Sequence, residues 1–170
     1  GRHYLVMDLV DGVDLRKLVR HCGRLSVGAA CELIRQAALG LQHAHENGLV
    51  HRDIKPANLM LDTTGTVKIL DLGLAMLGEQ YLECEDNLTT MGQLMGTLDY
   101  MAPEQASGNT VGPPTDIYAL GSILYYMMTG RPPFTAPTPL ETVRQLLDQD
   151  PVWQIADGRQ NSRNQHTGSQ

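Results

Sequence analysis

His51-Arg52-Asp53-Ile54-Lys55-Pro56-Ala57-Asn58 is the stretch on which the reading of this chain turns. Its polar residues and Pro56 predict a loop rather than a helix or strand. An aspartate and an asparagine five positions apart on one tight loop can aim a base and a metal ligand at the same place. Lys55, two residues after Asp53, adds positive charge where a transferring phosphoryl group would need neutralising. Two short apolar runs follow, 59–61 and 67–70, joined by Asp62-Thr63-Thr64-Gly65, a pattern that predicts a hairpin. Asp71-Leu72-Gly73 comes directly after the second run. A carboxylate there, beside a permissive glycine, is well placed to bind Mg2+.

Upstream, Ala30, Leu33, Ile34, Ala37, Leu41 and Ala44 recur at helical spacing behind a capping Ser26, and Asn47-Gly48 closes that helix. A shorter helix runs from its cap, Asp14, to His21, with Gly23 ending it. Tyr4-Leu5-Val6-Met7 reads as a short apolar strand. A free-standing domain rarely opens mid-strand, so the chain is expected to belong to something longer. Downstream, 71–114 scatters Gly, Thr, Asp and Met without period, the mark of a functional or disordered loop. Residues 116–129 are apolar nearly all round, which predicts a helix buried mid-domain and stopped by Gly130. Thr138-Pro139-Leu140-Glu141 opens a last helix as a capping box with proline at its first position. Gln, Asn, Ser, Gly and Arg dominate 157–170, so the polar tail, 153–170, is expected to be disordered. The resulting fold class is α+β and mostly helical.

The 170 residues, 42% of them apolar, suffice for one core. A net charge of −6 disfavours nucleic-acid binding. Nothing resembles a signal peptide, and the longest apolar run, 117–128, is too short for a membrane span. Cys22, Cys31 and Cys84 cannot all pair and lack CxxC spacing, which predicts reduced thiols in a soluble, cytoplasmic protein.

The octapeptide at 51–58 resembles the catalytic loop of protein kinases. Asp71-Leu72-Gly73 is similar to their metal-binding DFG triplet, with Leu for Phe, and Ala102-Pro103-Glu104 matches the APE triplet that closes the activation segment, here 71–104. Lys55, together with Gly96-Thr97 ahead of Tyr100-Met101-Ala102-Pro103-Glu104, resembles the serine/threonine kinases more than the tyrosine kinases. The phrases at 48–56 and 100–105 look like the bacterial branch. The likeness extends from Tyr4 to about Val152, and its strength lies in all three motifs standing in order.

That resemblance implies a protein-kinase-like C-lobe fragment with a hinge strand, a catalytic-loop hairpin and a central buried helix, the N-lobe being absent. Residues 1–13 would be hinge strand and connector, and 14–152 a truncated C-lobe. The implied cofactors are ATP and Mg2+, and the implied partner is a protein carrying Ser or Thr. Asp53 would accept the proton of the substrate hydroxyl, and Lys55 would stabilise the transferred group. Asn58 and Asp71 would hold two Mg2+ ions. Thr97 would bond to Asp53 and Lys55 and help seat the substrate. Met7 would be the gatekeeper, the Asp8 carbonyl and Val10 N–H would face adenine, Asp14 would contact the ribose, and Met60 would form part of the adenine floor. Asp116 would anchor the catalytic loop through backbone N–H groups. Arg52 would pair with a phosphate in the activation segment, with Thr89 and Thr90 as candidate acceptors.

Plainer readings hold elsewhere. His43 and His45, two apart on a helix, point different ways and are expected to be surface or capping histidines rather than metal ligands. Met127-Met128 is expected to be core, Tyr125-Tyr126 packing or interface, and 62–65 a turn, not a calcium loop. The chain carries no glycine-rich loop ahead of the hinge, and Lys17 and Lys68 both follow it. These residues alone are therefore expected to be inactive and to bind ATP weakly. Arg159 and Arg163 lie in sequence unlike that which supplies the arginine that pairs with the APE glutamate, so Glu104 is expected to lack that arginine partner and the piece to be aggregation-prone. The alternatives are a truncated pseudokinase or scaffold module without phosphotransfer, and a small-molecule phosphotransferase sharing the Asp-x-x-x-x-Asn loop.

Overall fold

A computed structural model describes residues 9–72 and 98–152. The expected strand at 4–7, the stretch 73–97 with Cys84, and the tail 153–170 lie outside the described residues.

Three short strands form one antiparallel sheet in the order β1 (Gly12–Asp14), β2 (Leu59–Asp62), β3 (Val67–Ile69). The hairpin of β2 and β3 pairs Leu59 with Ile69 and Leu61 with Val67. Its turn is held by the Asp62 carboxylate, whose Oδ1 accepts from the Thr64 and Thr66 amides, each at 2.9 Å, so it is a turn as the sequence predicts. Strand β1 differs from the sequence-based expectation, which had residues up to 13 as strand and connector ahead of the helix. Gly12–Asp14 adds to the edge of β2, with Val13 opposite Leu61. Glycine is required there: a Cβ on Gly12 would run into the Leu61 carbonyl oxygen.

Helices α1 (Leu15–Cys22) and α2 (Val27–Glu46) start as the sequence predicts. The Asp14 carboxylate accepts from the Lys17 amide at 2.8 Å, and the Ser26 hydroxyl from the Ala29 amide at 3.3 Å. A single turn, α3 (Pro103–Ala106), precedes the 17-residue α4 (Pro113–Thr129), and α5 (Pro139–Asp148) follows. Helix α4 begins three residues before the expected Asp116, because Pro113 and Pro114 occupy its first two positions, where no intrahelical donor is needed. It ends at Gly130 in the left-handed conformation, φ 80°. At α5 only half of the capping box forms among the described residues: the Thr138 hydroxyl accepts from the Glu141 amide.

The core lies where α2 crosses α4 and packs against β3. Leu15, Leu41, Leu59, Ile123 and Met127 are fully buried in it. The buried positions of α4 run nearly all round the helix, from Thr115 and Asp116 to Thr129, which explains its apolar composition. Met127 is core and Tyr125 and Tyr126 are buried, as expected. The Leu25 amide donates to the Met127 carbonyl at 2.8 Å, tying the α1–α2 link to the end of α4. Among the described residues no helix is long and apolar enough to cross a membrane.

Candidate active site

The loop 51–58 enters from the end of α2 and leaves through a 3-10 turn, Pro56–Asn58, into β2. Four anchors hold it. Asp116, on the first turn of α4 and 1% exposed, accepts the His51 amide at 2.9 Å and the Arg52 amide at 2.8 Å, one on each carboxylate oxygen. The imidazole of His51, also 1% exposed, sits between the loop and β3. Its Nδ1 accepts from the Asp53 amide at 3.3 Å, so its Nε2 carries the hydrogen and donates to the Leu70 carbonyl at 2.8 Å. The Leu70 amide in turn donates to the Asn58 carbonyl at 2.8 Å. Leu70 is thus bonded to both ends of the loop, and Asp71 is the next residue.

Within the loop the polar side chains close on one another. Lys55 Nζ lies 2.7 Å from Asp53 Oδ2. Asn58 Nδ2 donates to the Asp53 carbonyl at 2.9 Å and approaches Asp53 Oδ2 at 3.4 Å. With the amide nitrogen so engaged, nothing among the described residues donates to Asn58 Oδ1. Asp53 Oδ1 is buried with no hydrogen-bond partner among the described residues. Such an orphaned acceptor costs free energy unless another group satisfies it. Asp71 is exposed and adopts φ 61°, and Arg52 adopts φ 67°. These are the only non-glycine residues with positive φ among those described, and both lie at this site. No cluster of three or more His, Cys, Asp or Glu among the described residues could hold a metal by itself. Asn58 Oδ1 and the Asp71 carboxylate suit an ion that takes one or two protein oxygens and fills its shell with phosphate and water, as Mg2+ does.

The other expected positions fall as follows. Asp14 stands opposite Met60 in the β1–β2 ladder, so these two are neighbours, and the Asp14 carboxylate also caps α1. Val10 is half-buried at the start of the described chain; Met7, Asp8, Thr89, Thr90 and Thr97 lie outside it. Glu104, expected to lack an arginine partner, accepts at Oε1 from the Thr115 hydroxyl at 2.6 Å. That bond ties α3 to the first turn of α4.

Two residues went unread in the sequence. His45, expected at the surface or as a cap, is half-buried, with Nε2 2.8 Å from Asp116 Oδ2. It faces inward because it follows the buried Ala44 on the side of α2 that meets α4. His43 is exposed, as expected. Gln105 reaches from α3 to the loop, its Nε2 donating to the Arg52 carbonyl at 2.8 Å. No local signal marks either residue, since both partners are more than 50 positions away.

The family model for the protein kinase domain matches residues 1–169. Serine/threonine-protein kinase PknB of Mycobacterium tuberculosis (strain H37Rv) is 40% identical over 149 residues, 88% of this chain and 23% of that protein. Serine/threonine-protein kinase PknA of M. tuberculosis (strain H37Ra) is 39% identical over 148 residues, 87% of this chain and 33% of that protein. A probable serine/threonine-protein kinase of Corynebacterium efficiens is 38% identical over 149 residues, 88% and 22% respectively. The chain therefore spans about a quarter to a third of the length of these relatives.

Proposed function

This chain belongs to the protein kinase family, in its bacterial serine/threonine branch, and from that premise we propose that it carries the catalytic centre that transfers the γ-phosphate of ATP to Ser or Thr hydroxyls of proteins. The observation that carries the reading is the bonded group Asp53, Lys55 and Asn58, on a loop fixed to Asp116 and to the residue before Asp71.

Asn58 and Asp71 would hold Mg2+, and ATP with its metal supplies the activated phosphoryl group. The chain's own residues do the rest. The orphaned Oδ1 of Asp53 accepts the proton of the incoming hydroxyl, while Lys55 and Asn58 fix the carboxylate through its other oxygen. Lys55 also places positive charge beside the transferred group. Thr97 would add a hydroxyl to the Asp53–Lys55 pair. Asp14 and Met60, side by side at the β1–β2 edge, would meet ribose and adenine together with Met7, Asp8 and Val10. On this reading the chain would form part of the C-terminal lobe of the kinase fold.

Phosphate transfer from labelled ATP to a Ser- and Thr-containing protein, measured on the complete gene product, tests this. Asp53→Asn is expected to lower kcat by about 10²–10⁴-fold, while Asp62→Asn, in the hairpin turn, retains activity. Wild-type transfer that survives Asp53→Asn contradicts the assignment, and a wild type without transfer that still binds partners points to a scaffold module.

A further inference from the structure

Arg52 is held in a left-handed backbone conformation that a long L side chain rarely adopts, φ 67°. Such a conformation persists only where surrounding groups over-determine it. Here the peptide joining Arg52 to Asp53 is gripped at both ends. Its N–H donates to the His51 imidazole, and its carbonyl accepts from Gln105 Nε2 at 2.8 Å. The preceding amide, that of Arg52, is bound to Asp116. His51 and Asp116 act from the loop itself and from α4. Gln105 alone among these groups comes from α3, which closes the activation segment.

The orientation of the Gln105 amide is unambiguous. Oε1 accepts from the Ala102 amide at 3.0 Å, capping α3, and Nε2 faces the Arg52 carbonyl. Exchanging the two would set oxygen against oxygen and N–H against N–H. Between α3 and the loop lies a small cavity lined by Arg52, Asp53, Tyr100, Gln105, Thr115 and Asp116. The buried side chains of Ile54 and Ala119 line it alongside Tyr100, so apolar packing meets the loop from this side too, and Gln105 supplies the direct hydrogen bond from α3.

We infer that Gln105 is a positioning residue: by holding the Arg52 carbonyl it sets the plane of the Arg52–Asp53 peptide, and so couples the seating of α3 to the aim of the Asp53 carboxylate. The role in catalysis rests on the kinase reading above; the bridge itself does not.

Gln105→Glu separates this bridge from mere capping. A glutamate keeps an acceptor for the Ala102 amide, but its carboxylate cannot donate to the Arg52 carbonyl. Gln105→Leu removes both bonds. Amide hydrogen exchange by NMR on the complete gene product reports on the loop whether or not the protein transfers phosphate. In both variants the Asp53 amide, which belongs to the same peptide as the Arg52 carbonyl and donates to His51, is expected to exchange about tenfold faster or more, the equivalent of one lost hydrogen bond. In Gln105→Glu the Ala102 amide stays protected. In phosphate transfer kcat is expected to fall about tenfold with KM for ATP unchanged, as a displaced base requires. Wild-type exchange at the Asp53 amide in both variants would overturn the inference, as would an unchanged kcat in an active protein. Faster exchange in a protein with no phosphotransfer at all upholds the bridge and removes the kinase reading instead.

Discussion

Arg52 and Asp71 carry a cost that the rest of the described chain avoids: each places an L residue in the left-handed region, at about 1–2 kcal/mol apiece. Aspartate tolerates that region better than arginine does, which is consistent with the number of bonds around Arg52. The Arg52 amide is held by Asp116, whose carboxylate at 1% exposure is tolerable there only with the three donors it receives. Among the described residues Asp99 has no comparable partner, and burial pushes its carboxyl up to about 6. The sign follows from that direction. The folded state binds the proton more tightly than the unfolded state, so stability is greatest when Asp99 is protonated and declines as pH rises from about 4 through about 6. Solvent reaches this half-buried group, so the penalty above pH 7 is about 1 kcal/mol rather than the full shift. Asp99→Asn is expected to raise Tm at pH 7.5 by about 2–4 °C and to flatten the decline in Tm between pH 4 and pH 6.5. A variant that keeps the wild-type profile contradicts it.

At the scale of elements, what was legible in the sequence is what local chemistry decides. The caps Asp14, Ser26 and Thr138, the period of Ala30, Leu33, Ala37, Leu41 and Ala44, and the turn at Asp62 all act within a few residues of themselves. Strand β1 was not legible as such, because three residues give no period and its pairing with β2 reaches across nearly 50 positions. The start of α4 was hidden behind two prolines, and the turn α3 is too short to show a period. Within the site the residue types and their order could be read from the loop itself, whereas His45 and Gln105 are defined only by distant partners. The β1–β2 contact also yields a test. Gly12→Ala puts a methyl group against the Leu61 carbonyl and the Asp62 Cα, both backbone, which cannot swing aside. The expected loss is about 1–3 kcal/mol, read from the urea midpoint. A change below about 0.5 kcal/mol, within the range of ordinary surface substitutions, would mean that β1 does not sit against β2 in this register.

Across the whole molecule, one helix crossing organises the chemistry. Helix α2 delivers the loop, α4 presents Asp116 to it, the hairpin carries Asn58 into β2 and Leu70 out of β3, and α3 closes over the Arg52 carbonyl. Leu9 and Val152, 98% and 67% exposed, stand at the limits of the described segments, and Leu140, 79% exposed, is on the first turn of α5. The central claim is that Asp53, Lys55, Asn58 and Asp71 surround one phosphate-transfer position. A crystal structure of the complete gene product with Mg2+ and a non-hydrolysable ATP analogue measures this directly. The expected result is Mg2+ about 2.0–2.1 Å from oxygens of Asn58 and Asp71, with the γ-phosphate beside Lys55 and facing Asp53. Metal and γ-phosphate bound away from these four side chains would contradict it.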